Sequence, residues 1–144
     1  MNILIINGPN LNLLGIRQPD VYGAYTYDDL IKYINSLSLT YEFTYQIFQS
    51  NYEGAIIDTL QQALSNQVDG IIINPGAYTH YSYAIYDAIL AINIPTVEVH
   101  LSNLDIREPF RQHSVIRPAC RAFFQGNHFQ SYEQAILFLK RYLS

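Results

Sequence analysis

Short apolar runs alternate along the chain with longer stretches in which apolar residues recur every three or four positions. The runs lie at 2–6, 41–48, 70–73, 96–99 and 121–124, and each predicts a strand. Residues 3–6, 71–73 and 97–101 are apolar and β-branched enough for parallel strands buried on both faces. Helix signals lie between them. Thr26 opens a segment carrying Leu30, Ile31, Ile34 and Leu37 on one side. Ser50-x-x-Glu53 has the form of a capping box ahead of Ile56, Ile57, Leu60 and Leu64. Thr79 is placed to cap a helix with Ile85, Ala88, Ile89 and Ile92, and Ser131-x-x-Gln134 precedes Ala135, Leu139 and Leu143. Five strands alternating with helices, with no repeat or linker, predict one α/β domain over 1–144. Its expected architecture is a flavodoxin-like, doubly wound, five-stranded parallel sheet.

In such sheets ligands bind beyond the carboxyl ends of the strands. Those ends are legible as Asn7-Gly8-Pro9-Asn10, Asn74-Pro75-Gly76-Ala77 and Glu98-Val99-His100-Leu101-Ser102. Residues 7–23, NGPNLNLLGIRQPDVYG, are long for a connection in a compact domain, which suggests a functional lid at about 16–25. The lid segment holds Arg17 and Tyr22. A phenol becomes a base near neutral pH only if its anion is stabilised by about 3 pKa units, or ~4 kcal/mol. A guanidinium at ~4 Å supplies about that much at an effective dielectric near 20. The plainer alternative is a tyrosine packed on a loop with a solvated arginine beside it. Glu98 and His100 are two apart on a strand, hence on one side, so the carboxylate can orient the imidazole as a general acid. Mutual satisfaction in a half-buried turn would place them together equally well. His80, Ala84 and Asp87 share a predicted helical face by the i, i+4, i+7 rule, and His80, in the first turn next to the crevice, is placed to donate to a ligand hydroxyl. Asp87 could equally make a surface or inter-subunit ion pair. Four of six arginines fall between 107 and 121 and focus positive potential near one crevice, suited to an anionic ligand. Ion pairs with Asp105 and Glu108, or subunit contacts, are the alternative, and the preferred one for Arg117 and Arg121.

Composition narrows the classes. Of 144 residues 49% are hydrophobic and only 14% charged, with 13 tyrosines and no tryptophan. A weakly charged, tyrosine-rich surface suits subunit contacts. The net charge of -4 argues against nucleic acid. One cysteine, Cys120, gives neither an internal disulfide nor a CxxC motif and reads as a small buried apolar residue. Met1 runs at once into a strand, with no signal peptide and no membrane-spanning run, so a cytoplasmic protein is expected. Glycine-rich phosphate-binding motifs and metal-ligand spacings are absent, so neither a nucleotide-phosphate cradle nor a metal cluster is supported. Lys32 and Lys140, the only lysines, fall on predicted helices away from strand ends, which disfavours Schiff-base chemistry. Asn7, where a phospho-receiver would carry an acid, disfavours that class.

Four segments, NGPNLNLLGIRQPDVYG, QSNYEG, INPGAYTHYSYAIYDAI and VEVHLSNLDIREPFRQHS, together closely resemble the type II 3-dehydroquinate dehydratases, in order and with matching gaps from about residue 3 to 114. The resemblance implies conversion of 3-dehydroquinate to 3-dehydroshikimate and water, in the shikimate pathway, without metal or organic cofactor. It implies Tyr22 as a tyrosinate base at C2, Arg17 as the cation that stabilises it, and Asn10 as holder of a water at the enolate. His100 would protonate the departing C1 hydroxyl, held by Glu98. Asn74 and the Leu101-Ser102 backbone would bind the substrate carboxylate, and His80, Asp87 and Arg111 the ring hydroxyls. Asp87 would reach in from a neighbouring subunit of a dodecamer of trimers. Two features depart from the family pattern: Gln18, where many relatives have Glu, and residues 115–129, VIRPACRAFFQGNHF. A non-catalytic flavodoxin-like module holding a flavin or aromatic effector is the alternative from another class. An inactive paralogue is a third reading, disfavoured because every catalytic position is filled.

Overall fold

Side chains on a strand alternate between faces, so a sheet buried on both sides needs two sets of apolar residues along each central strand. In the computed structural model, which describes residues 1–16, 18–22 and 24–144 and only the backbone at Tyr22, those sets are present. The strands are β1 (Asn2–Asn7), β2 (Thr44–Gln49), β3 (Gly70–Asn74), β4 (Thr96–His100) and β5 (Ala122–Gln125). They form one all-parallel sheet in the order β2-β1-β3-β4-β5, the flavodoxin-like order. Ile3, Ile5, Ile72, Val97 and Val99 face the layer of α2 (Tyr27–Tyr41) and α5 (Gln130–Tyr142). Leu4, Ile6, Ile71 and Ile73 face the layer of α3 (Glu53–Gln62) and α4 (Tyr83–Ile92). β3 and β4 are buried throughout, whereas the outer strands β2 and β5 are partly exposed. Each predicted strand is found, shifted by at most three residues at its start. Among the described residues no helix is long and apolar enough to cross a membrane.

The helix starts divide into one that lies where expected and three corrections. Thr26 caps α2: its Oγ1 accepts from the Asp29 N–H at 3.2 Å, and the Asp29 carboxylate accepts from the Thr26 N–H at 2.9 Å. Ser50 does not cap α3. Its N–H donates to the Asn7 carbonyl at 3.0 Å, which keeps it extended beside the end of β1, and α3 starts only at Glu53. Because α3 stops at Gln62, Leu64 lies outside it and is 61% exposed. α4 is capped by Ser82, whose Oγ accepts from the Ile85 N–H at 3.1 Å, while Thr79 belongs to the preceding 3-10 turn Gly76–His80. His80 therefore does not share a helical face with Ala84 and Asp87. Ser131 sits inside α5 and accepts from the Asn127 N–H at 3.3 Å rather than opening a capping box. A one-turn helix, α1 (Pro19–Tyr22), lies within the segment expected to be a lid. Arg17 and the Tyr22 phenol lie outside the described residues.

Candidate active site

The loops after β1 and β3 meet because two glycines allow it. A Cβ on Gly8 would stand 2.4 Å from the Pro75 carbonyl oxygen, and Gly76 has a φ of +60° with Pro9 against it. Beyond them, at the carboxyl ends of β1, β3 and β4, opens a small crevice. Asn10, Asn74 and His80 line it from the β1 and β3 sides. His100, Leu101, Ser102 and Arg111 line it from the β4 side. Seven of the expected positions thus converge from three strand ends.

His100 and Glu98 form the reactive-looking part. Glu98 is 0% exposed and its Oε1 accepts from His100 Nε2 at 2.6 Å. A carboxylate there holds the Nε2–H tautomer, leaving Nδ1 as the ring nitrogen able to exchange a proton. Ser114 Oγ donates to Glu98 Oε2 at 3.0 Å, and Arg117 Nη2 lies 3.4 Å from Oε1. Burial alone would raise the Glu98 pKa; the His100 hydrogen bond and charge, with Arg117 and Ser114, outweigh it and hold the carboxyl below its ordinary value. Glu98 is therefore the ionised partner of the pair.

A second buried group is neutral. β1 and β3 pair in a register that sets Asn7 beside Asn74. Tyr132, from α5, donates its hydroxyl to Asn7 Oδ1 at 2.6 Å and accepts from Asn74 Nδ2 at 3.2 Å. Asn7 Nδ2 donates in turn to the Tyr27 hydroxyl at 3.3 Å, and Asn74 Oδ1 accepts from the Gly76 N–H at 3.3 Å. The Asn74 amide is thus oriented before any ligand arrives, with one Nδ2 hydrogen uncommitted by this network.

His80 has the opposite polarity from the one expected. Its Nδ1 lies 2.8 Å from the His113 carbonyl, which can only accept, so Nδ1 carries the hydrogen. Burial holds its pKa below the ordinary imidazole value, against the raising effect of that carbonyl. The neutral ring presents Nε2 as an acceptor for a ligand hydroxyl, not a donor. Its ring stands perpendicular to that of Phe110, with centroids 5.9 Å apart. Arg111 pairs with Glu108 and lies 4.6 Å over the Phe110 ring, so it is both an ion-pair member and a crevice wall.

Asp87 is not in the crevice; it lies exposed on the outer face of α4. Arg121 points to Asn93 Oδ1 at 3.4 Å, away from the site. Arg117 pairs with Glu98, neither with Asp105 nor with Glu108 as the sequence suggested. Arg107 also lines the crevice and donates to Ser102 Oγ at 3.0 Å. The sequence reading missed Tyr132, Ser114 and the role of Arg117. Tyr132 sits in the apolar stripe of an amphipathic helix, where an aromatic reads as core. Ser114-x-x-Arg117 touches Glu98 only through tertiary folding.

With this geometry in hand, comparison with known proteins gives one answer. The family model described as dehydroquinase class II matches residues 1–140. A 3-dehydroquinate dehydratase of Caldicellulosiruptor bescii is 55% identical over 141 residues, 98% of this chain and 97% of that one. That of Clostridium acetobutylicum is also 55% identical, over 100% of this chain and 99% of its own. Among solved structures, a type II dehydroquinase from Butyrivibrio crossotus superposes with a TM-score of 0.96 at 49% identity, covering 97% of both chains.

Proposed function

The chain belongs to the class II dehydroquinase family, and from that premise we propose that it is a 3-dehydroquinate dehydratase, a hydro-lyase of the shikimate pathway. The observation that carries the reading is the His100–Glu98 couple, hydrogen-bonded at 2.6 Å with His100 lining the crevice. Tyr22, ionised beside Arg17, takes the proton from C2 next to the ketone. The negative charge moves to the ketone oxygen, where a water held by Asn10 stabilises it. Preorganised donors at such an oxyanion are usually the largest catalytic contribution. Collapse of the enolate re-forms the ketone, makes the C1–C2 double bond and expels the C1 hydroxyl. His100 Nδ1–H gives that hydroxyl its proton, so water leaves and the ring ends neutral. With base and acid on opposite faces of the ring, the elimination is anti.

Asn74 and the Leu101-Ser102 backbone bind the substrate carboxylate, while His80 Nε2 and Arg111 bind ring hydroxyls. Closure of a lid at about 16–25 over the crevice excludes water. Asp87 serves a neighbouring copy. Its placement between Tyr83 and Leu90 on the exposed face of α4, residues 69% and 50% exposed, supports a subunit contact there. The assembly we infer is a dodecamer of trimers, and the location cytoplasmic. Neither a metal nor an organic cofactor enters the scheme.

The test follows the conjugated enone by its ultraviolet absorbance on adding 3-dehydroquinate. Wild type should produce it, and Tyr22→Phe should lower turnover by at least about 10²-fold with substrate binding largely kept. A wild-type protein that makes no enone removes the activity, and a Tyr22→Phe variant near wild-type rate removes the tyrosinate. A yellow protein as purified would favour the flavin-module alternative.

A further inference from the structure

We propose that Arg117 is a charge-balancing positioning residue: its guanidinium neutralises the buried Glu98 carboxylate, so that His100 can release a proton without leaving an unpaired anion in the core. The inference rests on the dehydratase reading only for His100's part as the acid. The arrangement itself is in the structure. Arg117 is aimed by four neighbours. Its own N–H donates to Ser114 Oγ at 3.0 Å, the hydroxyl that also donates to Glu98 Oε2 at 3.0 Å. The guanidinium lies 3.7 Å over the Phe123 ring. Its Nη2 reaches Gln125 Oε1 and Glu98 Oε1, each at 3.4 Å. Phe123 is the β5 residue in register with Glu98 on β4, so the stacking platform stands beside the carboxylate it serves.

The chemistry follows from counting charge. With His100 as its only partner, Glu98 would form a neutral imidazolium–carboxylate pair. Giving up the proton would then leave a net negative charge at a site with no solvent exposure. An uncompensated buried charge is costly, so such a pair would resist release and His100 would be a reluctant acid. With Arg117 the same unit goes from one net positive charge to none. Glu98, His100 and Arg117 therefore form one charge-balanced unit. Among the described residues the other ionisable groups near it are few, with Arg107 on the wall of the same crevice. His80 comes from the 76–80 turn, with Arg111 beyond it. The Cys120 thiol is kept protonated by burial and by Glu98 itself. β3 offers only Ile73 at this level.

Arg117→Met keeps most of the stem but removes the charge and the guanidinium that lies over Phe123; Arg117→Lys keeps the charge. Two readouts separate the possibilities: the pH profile of kcat for enone formation, and an NMR titration of the His100 ring. For Arg117→Met the alkaline limb of the profile and the His100 titration should both move up by about one pH unit, with elimination slowed relative to solvent exchange at C2. Arg117→Lys should return both toward wild type. His100 titrating identically in all three folded proteins would overturn the proposal, as would a shift that Arg117→Lys fails to reverse. If wild type forms no enone while the His100 titration still moves, the dehydratase reading falls and the charge balance stands. Should Arg117→Met not fold, Arg117→Lys against wild type decides: a wild-type His100 titration supports the proposal, and one displaced as if the charge were lost overturns it.

Discussion

Two buried polar knots stand side by side at the carboxyl ends of adjacent strands, and they are built from opposite materials. At the ends of β1 and β3, Asn7, Asn74, Tyr132 and Tyr27 form a chain of neutral hydrogen bonds. At the end of β4, Glu98, His100, Ser114 and Arg117 form a charged one. Asn7, Glu98 and Tyr132 all have 0% exposure, so depth does not explain the difference. Task does. A neutral network fixes an amide in one orientation and asks for little beyond satisfied donors and acceptors. A charged one is expensive to bury, and is warranted where a proton has to leave and return. The neutral knot orients a binding group, whereas the charged knot moves a proton.

Glu98→Gln should break the charged side most severely. It strips His100 of its carboxylate and leaves Arg117 unpaired, so enone formation should fall by about 10²-fold or more, with exchange at C2 surviving. The same variant tests the acid side of stability. Glu98 is held below its ordinary value near 4.5, so it stabilises the fold above that pH, and the contribution fades as pH falls through the lowered value. Urea unfolding at stepped pH should show that fade in wild type and lose it in Glu98→Gln. Tyr132→Phe should have a smaller and different effect. It leaves Asn7 Oδ1 and Asn74 Nδ2 short of a partner, at a cost of about 1–3 kcal/mol by urea denaturation. Its KM should rise more than kcat falls, with the pH profile unmoved; a shifted profile would erase the distinction between the knots. Smallest of all is Thr79→Val. Thr79 is buried and its Oγ1 has no hydrogen-bond partner among the described residues, so it belongs to neither knot. Replacing that hydroxyl with a methyl of the same shape should change stability by no more than about 1 kcal/mol. A larger loss would reveal a partner for the hydroxyl and a third polar group at the site.

Legibility followed sequence distance. The α2 start near Thr26 was readable from the apolar periodicity that follows it, and the cap found there joins residues only three apart. Ser50 had the same local form and failed, because the Asn7 carbonyl, far away in sequence, holds its N–H. Glu98 and His100 were readable as a pair because a strand puts residues two apart on one side. Whether His80 donates or accepts was not, since it turns on the His113 carbonyl 33 residues later. The Tyr132–Asn7 hydrogen bond spans 125 positions, and no local pattern reports on a contact of that kind.

Periodicity alone therefore determined the strands, the layered sheet and the strand ends where polar groups collect, because burial of apolar faces is written locally at every second or every third to fourth residue. Tertiary structure decided which helix start was real, which tautomer His80 holds and which cation answers Glu98. Each of those depends on a single donor or charge delivered by a distant segment, and hydrogen bonds and ion pairs act over a few ångströms of space rather than along the chain.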